Sequence, residues 1–144
     1  MGVAGWYRAS RWMYLHHMKP IAIFIKGCIR VVWGGVIPCQ ADIGKGTKFA
    51  YQGMGVVIHK KAVIGKNCFI RQNVTVGGAG GSGGGKEGVP VIGDNVDIGA
   101  GAVIIGGIHI GNNVIIGANA VVNKDLPDNC TAVGVPAKPI KFHQ

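Results

Sequence analysis

Charged side chains are few in this chain. They make up 15% of its 144 residues, six Asp and Glu against fifteen Lys and Arg, for a formal net charge of +9. Aromatics are scarcer still at 7%. A positive surface without stacking side chains or a recognition motif is a poor match to nucleic acid, which leaves an anionic membrane face or a phosphorylated ligand as its counterpart. Long hydrophobic runs are missing too. The run Ile21 to Ile25 is followed by Lys26 and Arg30, well short of the roughly 20 apolar residues that cross a bilayer. Cys28, Cys39, Cys68 and Cys130 form no CxxC pair. No two histidines or carboxylates fall at ligand spacing within one repeat, so no metal is expected. With no cleavable signal peptide ahead of them, the cysteines read as reduced thiols, Cys68 as a core residue, and the protein as cytoplasmic.

What is abundant is glycine, 26 residues, beside a hydrophobic content of 48%. That is too apolar for disorder and too rich in glycine for helical packing, so turn-dense β structure in one domain is expected. The basic residues crowd the beginning. Arg8, Arg11, Lys19, Lys26 and Arg30 alternate with Trp6, Tyr7, Trp12, Met13 and Tyr14, defining a basic amphipathic, helical segment over 1–36. It can pack over the end of a sheet or rest peripherally on the inner face of a membrane.

From residue 37 to 144 the organising signal is a repeat of six. Ile37, Ile43, Ile58, Ile64, Ile70, Ile92, Ile98, Ile104, Ile110, Ile116 and Val122 form one column. Two places before most of them stand Ala41, Ala62, Cys68, Val96, Ala102, Ile108, Val114 and Ala120, an i, i+2 alternation that turns both columns to one interior. Three places after column residues stand Gly46, Asn67, Asn73, Asn95, Gly101, Gly107, Asn113 and Asn119, the residue types that best tolerate positive φ. Short strands turning a corner every six residues build a parallel β-helix whose coils stack at about 4.8 Å.

The segments "IGKGTK", "VIGKNC", "VIGDNVDIGAGAVIIGGIHIGNNVIIGANAVV" and "AVGVPAKPI" resemble the hexapeptide-repeat acyltransferases. The resemblance implies an all-β, left-handed parallel β-helix of three strands per coil, a homotrimer, and acetyl-CoA as acyl donor. "IRQNVTVGG", with the glycine-rich loop and "VPVIGDNVDIGAGAVIIGG", is similar to the serine acetyltransferases and to their relatives that O-acetylate surface polysaccharide and lipopolysaccharide sugars. In serine acetyltransferases the resemblance puts one catalytic histidine in the coil matching "FAYQGMG" and a second just before the proline matching Pro90. This chain has Tyr51 or Gln52 and Val89 there.

Acetyl transfer from a thioester to a hydroxyl needs a base, and histidine suits that role at neutral pH. His16, His17 and His143 lie outside the repeats. His59 follows Ile58 and closes the one gap of nine between Phe49 and Ile58, so it is the expected base, with Tyr51 and Gln52 orienting the acceptor; His109, just before Ile110, is the runner-up. The stretch 77–90 leaves the repeat as a glycine-rich excursion, with Lys86 or Glu87 at its tip contacting substrate. For the coenzyme, the resemblance implies the small residues Gly99, Ala100, Gly101 and Ala118 along the pantetheine arm, and Lys124, Lys138 and Lys141 are placed to meet its phosphates. Pro136 is expected to turn the chain back over the open last coil. The leading expectation is a sugar hydroxyl of a polysaccharide precursor as acceptor. The alternatives are serine O-acetylation in cysteine biosynthesis and a catalytically silent scaffold.

Overall fold

The computed structural model describes residues 2–80 and 86–144. Helices α1 (Val3–Leu15) and α2 (Lys19–Trp33) pack on each other ahead of the strands. The first face of the coil stacks β1 (Asp42–Ile43), β4 (Val63–Ile64), β7 (Val91–Ile92) and β10 (His109–Ile110). The second stacks β2 (Lys48–Phe49), β5 (Phe69–Ile70), β8 (Asp97–Ile98), β11 (Ile115–Ile116) and β13 (Cys130–Val133), closed by β14 (Lys138–Phe142). The third stacks β3 (Val57–Ile58), β6 (Thr75–Gly77), β9 (Val103–Ile105) and β12 (Val121–Val122). Every neighbour pair is parallel except β13 with β14. The chain thus visits the three faces in turn, forming the expected left-handed parallel β-helix.

Register explains why the isoleucine column is so regular. Ile43 lies beside Ile64, Ile64 beside Ile92 and Ile92 beside Ile110, so each coil sets the same side chain on the one below. All eleven column residues are buried, as are Ala41, Ala62, Cys68, Val96, Ala102, Ile108, Val114 and Ala120. Fully burying one such isoleucine contributes roughly 1.5–3 kcal/mol over leaving it in water. Val76, which continues the column one step after Ile70, is buried as well.

Three corners separate the faces. Positive φ occurs at Gly46, Asn67, Asn73, Asn95, Gly101, Asn113 and Asn119 as the spacing predicts, but near Ile104 it falls on Gly106 (φ 97°) instead of Gly107. There the following turn is tied by the excursion, since the Gly107 N–H donates to the Lys86 carbonyl at 2.8 Å. At the corners between the first and second faces, side chains bond from coil to coil. Asp94 Oδ1 accepts the Lys66 N–H at 2.7 Å, Asn112 Oδ1 the Asp94 N–H at 2.8 Å, and Asp128 Oδ1 the Asn112 N–H at 2.7 Å.

The N-terminal segment seals the first coil. The buried Tyr7 hydroxyl donates to the Ala41 carbonyl at 2.6 Å and accepts the Ile43 N–H at 3.1 Å. Arg11 donates to the carbonyls of Cys39 and Gln40, and Arg8 to that of Gly44. The coil itself begins with Val36, bridged to Val57, one residue inside the expected segment 1–36. At the far end the chain reverses around Pro136, and β14 covers the edge of β13.

Candidate functional site

His59 follows β3 at the corner between the third and first faces, where its N–H donates to Val76 O at 2.8 Å. The half-buried ring lines a hollow of about 340 Å³ with Lys61, Gly78, Ala79, Glu87 and Val89. The Lys61 N–H donates to His59 Nδ1 at 3.1 Å. A neutral imidazole so held carries its proton on Nε2 and offers a donor there. The lone pair that the expected base would use is therefore engaged. Releasing it exchanges one partly solvated hydrogen bond, worth about 1 kcal/mol.

The excursion is shorter than the sequence suggested. Gly77 completes β6, and Ala79 and Gly88 exchange both backbone hydrogen bonds at 2.9 Å as an antiparallel bridge. Lys86 and Glu87 consequently stand beside the base of the excursion and not at its tip; residues 81–85 lie outside the described part. Glu87 lines the His59 hollow. Lys86 turns the other way, with Nζ 3.8 Å from Asp125 Oδ2. Asp125 Oδ1 accepts the His109 N–H at 2.9 Å. That N–H, with the charges of Lys86 and His109, holds the exposed Asp125 carboxyl below the usual carboxylate range.

His109 itself is exposed and lines a separate hollow of about 540 Å³ on the first face with Val91, Gly93, Asn112, Asp125 and Pro127. The two candidate bases do not share a cavity.

Tyr51 and Gln52 stand elsewhere. The gap of nine is filled by a turn at Ala50–Gly53 in which Tyr51 (φ 47°) and Gln52 (φ 57°) are both left-handed, at the corner between the second and third faces. The strand β3 separates this corner from His59, a distance on the order of 15 Å for four to five extended residues. Gln52 is also committed, since its Oε1 accepts the Val3 N–H at 2.8 Å at the start of α1. This ties Gln52 to the first turn of α1, a partner 49 residues away that no local pattern announces. Tyr51 is 73% exposed.

Gly99, Ala100, Gly101 and Ala118 lie on the same corner stack as Tyr51. A Cβ on Gly99 would sit 2.5 Å from Ala118 N, and one on Gly101 would sit 2.2 Å from Asn119 Oδ1. Stacking of one coil on the next already requires both glycines, while Ala100 is half-exposed and Ala118 exposed. Lys124 is exposed at the corner after β12, and Lys138 and Lys141 are exposed on β14. The Ala137 N–H donates to Val121 O at 2.8 Å, which brings the Lys138 end of β14 against β12.

A left-handed β-helix of hexapeptide coils, with an imidazole and a glycine-rich excursion on one edge, defines a class of transferase-like folds. Residues 90–124 match the family model described as bacterial transferase hexapeptide (six repeats), and the chain belongs to the hexapeptide-repeat acyltransferases. It is 40% identical to the serine acetyltransferase of Synechococcus elongatus over 93% of this chain and 54% of that protein. A crystal structure of Neisseria gonorrhoeae serine acetyltransferase in complex with serine superposes with a TM-score of 0.84 at 39% identity, covering 96% of this chain and 55% of that one. A serine acetyltransferase complex with CoA gives 0.84 at 33% identity, covering 96% and 55%. The chain spans about half the length of the relatives it matches.

Proposed function

We propose that this chain carries the acetyl-transfer unit of an acetyl-CoA-dependent serine O-acetyltransferase. The likeness to serine acetyltransferases over nearly its whole length favours L-serine over the polysaccharide hydroxyl expected first. The observation that carries the assignment of roles is the hollow that His59 and Glu87 both line, beside Gly78, Gly80 and Gly88. At Gly80 an added Cβ would meet nothing within 4 Å, so the backbone there is open to a bound ligand.

In this reading His59 gives up the Lys61 N–H and takes the proton of the serine hydroxyl as its oxygen attacks the thioester carbonyl. The carbon–sulfur bond then breaks, and the imidazolium returns the proton to the departing sulfur, leaving O-acetylserine and the free thiol of CoA. Ala100 and Ala118 border the path of the pantetheine arm, and Lys124 meets phosphate. Glu87 fits the ammonium group of serine.

His59 and the corner bearing Tyr51, Ala100 and Ala118 sit on different edges of one prism. A cyclic trimer presses one edge of a subunit against a different edge of its neighbour, a heterologous contact that brings both sets together. The working unit proposed is thus a homotrimer with three shared sites.

Tyr51 and Val89, standing where serine acetyltransferases are expected to carry histidines, favour a second reading in which a sugar hydroxyl is the acceptor or the coil is silent. Thiol release from acetyl-CoA separates these. Release that depends on L-serine supports the proposal; release only with amino sugars or hexoses, or none with any acceptor, overturns it.

A further inference from the structure

The outward side of α2 has no partner among the described residues, and its chemistry identifies one. Ala22 and Ile29 are buried and Trp33 is half-buried, which fixes the inner side of the helix. On the opposite side, at the spacing of one helical face, lie Ile23, Phe24, Gly27 and Val31, with Val31 86% and Phe24 71% exposed. A hollow of about 370 Å³ lined by Phe24, Gly27, Cys28, Val31 and Val32 runs along it. No charged side chain interrupts this face. Lys19, Lys26 and Arg30, spaced by seven and four, form a stripe down one flank. None of the three has an ion-pair partner among the described residues. The sequence contains no Asp or Glu before Asp42.

We propose that this face of α2 docks on an anionic lipid surface. An apolar face flanked by basic side chains, without any carboxylate, is the pattern of a helix lying in the headgroup region, its apolar residues entering the acyl boundary and its lysines reaching lipid phosphates. A protein partner or a second copy would need acidic groups to meet the stripe, and the surface here supplies few. Crossing the bilayer is not implied; no helix among the described residues is long and apolar enough to do so. The other flanking arginines are unavailable, because Arg8 and Arg11 hold the first coil. Lys19, Lys26 and Arg30 therefore carry the electrostatic part. The inference is independent of the acetyl-transfer assignment.

The test is flotation of the 144-residue chain with vesicles of phosphatidylcholine alone or mixed with phosphatidylglycerol. Binding is expected to the mixed vesicles, at least tenfold weaker to phosphatidylcholine, and to weaken as salt is raised. Phe24→Glu and Val31→Glu, both at exposed positions, should each lower partitioning at least tenfold without moving the unfolding midpoint. The variant Lys19→Gln/Lys26→Gln/Arg30→Gln should lower it roughly a hundredfold on the mixed vesicles. No flotation with the mixed vesicles, or flotation that neither set of variants weakens, overturns the proposal. So does a larger assembly in sedimentation that Phe24→Glu dissociates while vesicles fail to bind, which would make the face a contact between copies.

Discussion

The backbone N–H of Lys61 donates to Nδ1 of His59 at 3.1 Å, across the two residues that turn the chain from the third face to the first. The same turn that delivers the imidazole to the hollow therefore fixes its resting tautomer. Replacing His59 by Ala should lower serine-dependent turnover about a hundredfold or more, the usual scale for losing a general base, with little change in the unfolding midpoint because the ring is only half-buried. His59→Gln should not restore turnover, since an amide cannot accept and return the proton. Normal turnover in His59→Ala would move the chemistry to another group, with His109 the first to test.

The coil-to-coil ladder at the first corner predicts a graded effect on stability. Asp94→Ala removes the acceptor of the Lys66 N–H and should destabilise by about 1 kcal/mol, lowering the midpoint by roughly 2–4 °C. Asp94→Asn should be nearly neutral, because Asn112 already fills the same place one coil further on. Calorimetry on the two variants checks both expectations, and equal losses would mean that the charge and not the hydrogen bond matters.

The repeats were legible in the sequence because each depends only on neighbours six residues away. An isoleucine facing inward and an asparagine able to adopt positive φ specify a side and a corner together. Features fixed by distant partners were not legible. Gln52 is taken by Val3, and the positive φ near Ile104 falls on Gly106, beside the Gly107 N–H that donates to the Lys86 carbonyl. Within the candidate site, His59 could be singled out because the nine-residue gap precedes it, yet the gap itself resides on another edge. Its hydrogen bond to Lys61 depends on the rotamer of the ring, which no spacing reveals. Gly99 and Gly101 matched a coenzyme-binding pattern, but the same residues satisfy coil stacking, so the pattern could not distinguish the two uses.

Gly101 offers a test of that stacking. It combines φ of 71° with a Cβ position 2.2 Å from Asn119 Oδ1. Gly101→Ala should destabilise by about 2 kcal/mol, the sum of a left-handed alanine and a displaced asparagine. Adding Asn119→Gly removes the clash and leaves the backbone term, so the pair should be non-additive, recovering part of the loss. Strict additivity in the double-mutant cycle would show that the Asn119 side chain simply swings aside.

Asp125 predicts an acid-sensitive attachment of the excursion. Its carboxyl is held below the usual range, first by the His109 N–H and then by the charge of Lys86. The contribution is therefore present above the ordinary carboxylate value of about 3.9 and is lost as pH falls through the lower folded value. Protection of the Gly107 N–H, which donates to the Lys86 carbonyl, should drop over that acid range once intrinsic exchange is allowed for. Asp125→Asn, which keeps an acceptor for His109 but loses the charge, should show weaker protection at neutral pH and no further drop in acid.

Tyr7 predicts the opposite dependence at high pH. Its hydroxyl is buried between Ala41 O and the Ile43 N–H, and burial raises its pKa above the ordinary tyrosine value, more than the Ile43 N–H and Arg11 lower it. The folded chain thus keeps this proton where the unfolded chain releases it. The associated stability is complete below about pH 10 and is lost as pH rises towards the folded value. Tyr7→Phe should cost about 1–3 kcal/mol at neutral pH, because Ala41 O and the Ile43 N–H lose their buried partner. It should also flatten the alkaline decline in stability, since nothing at that position is left to ionise. Denaturant unfolding of both proteins between neutral pH and pH 11 measures the two slopes, and parallel slopes would assign the alkaline loss to lysines elsewhere on the surface.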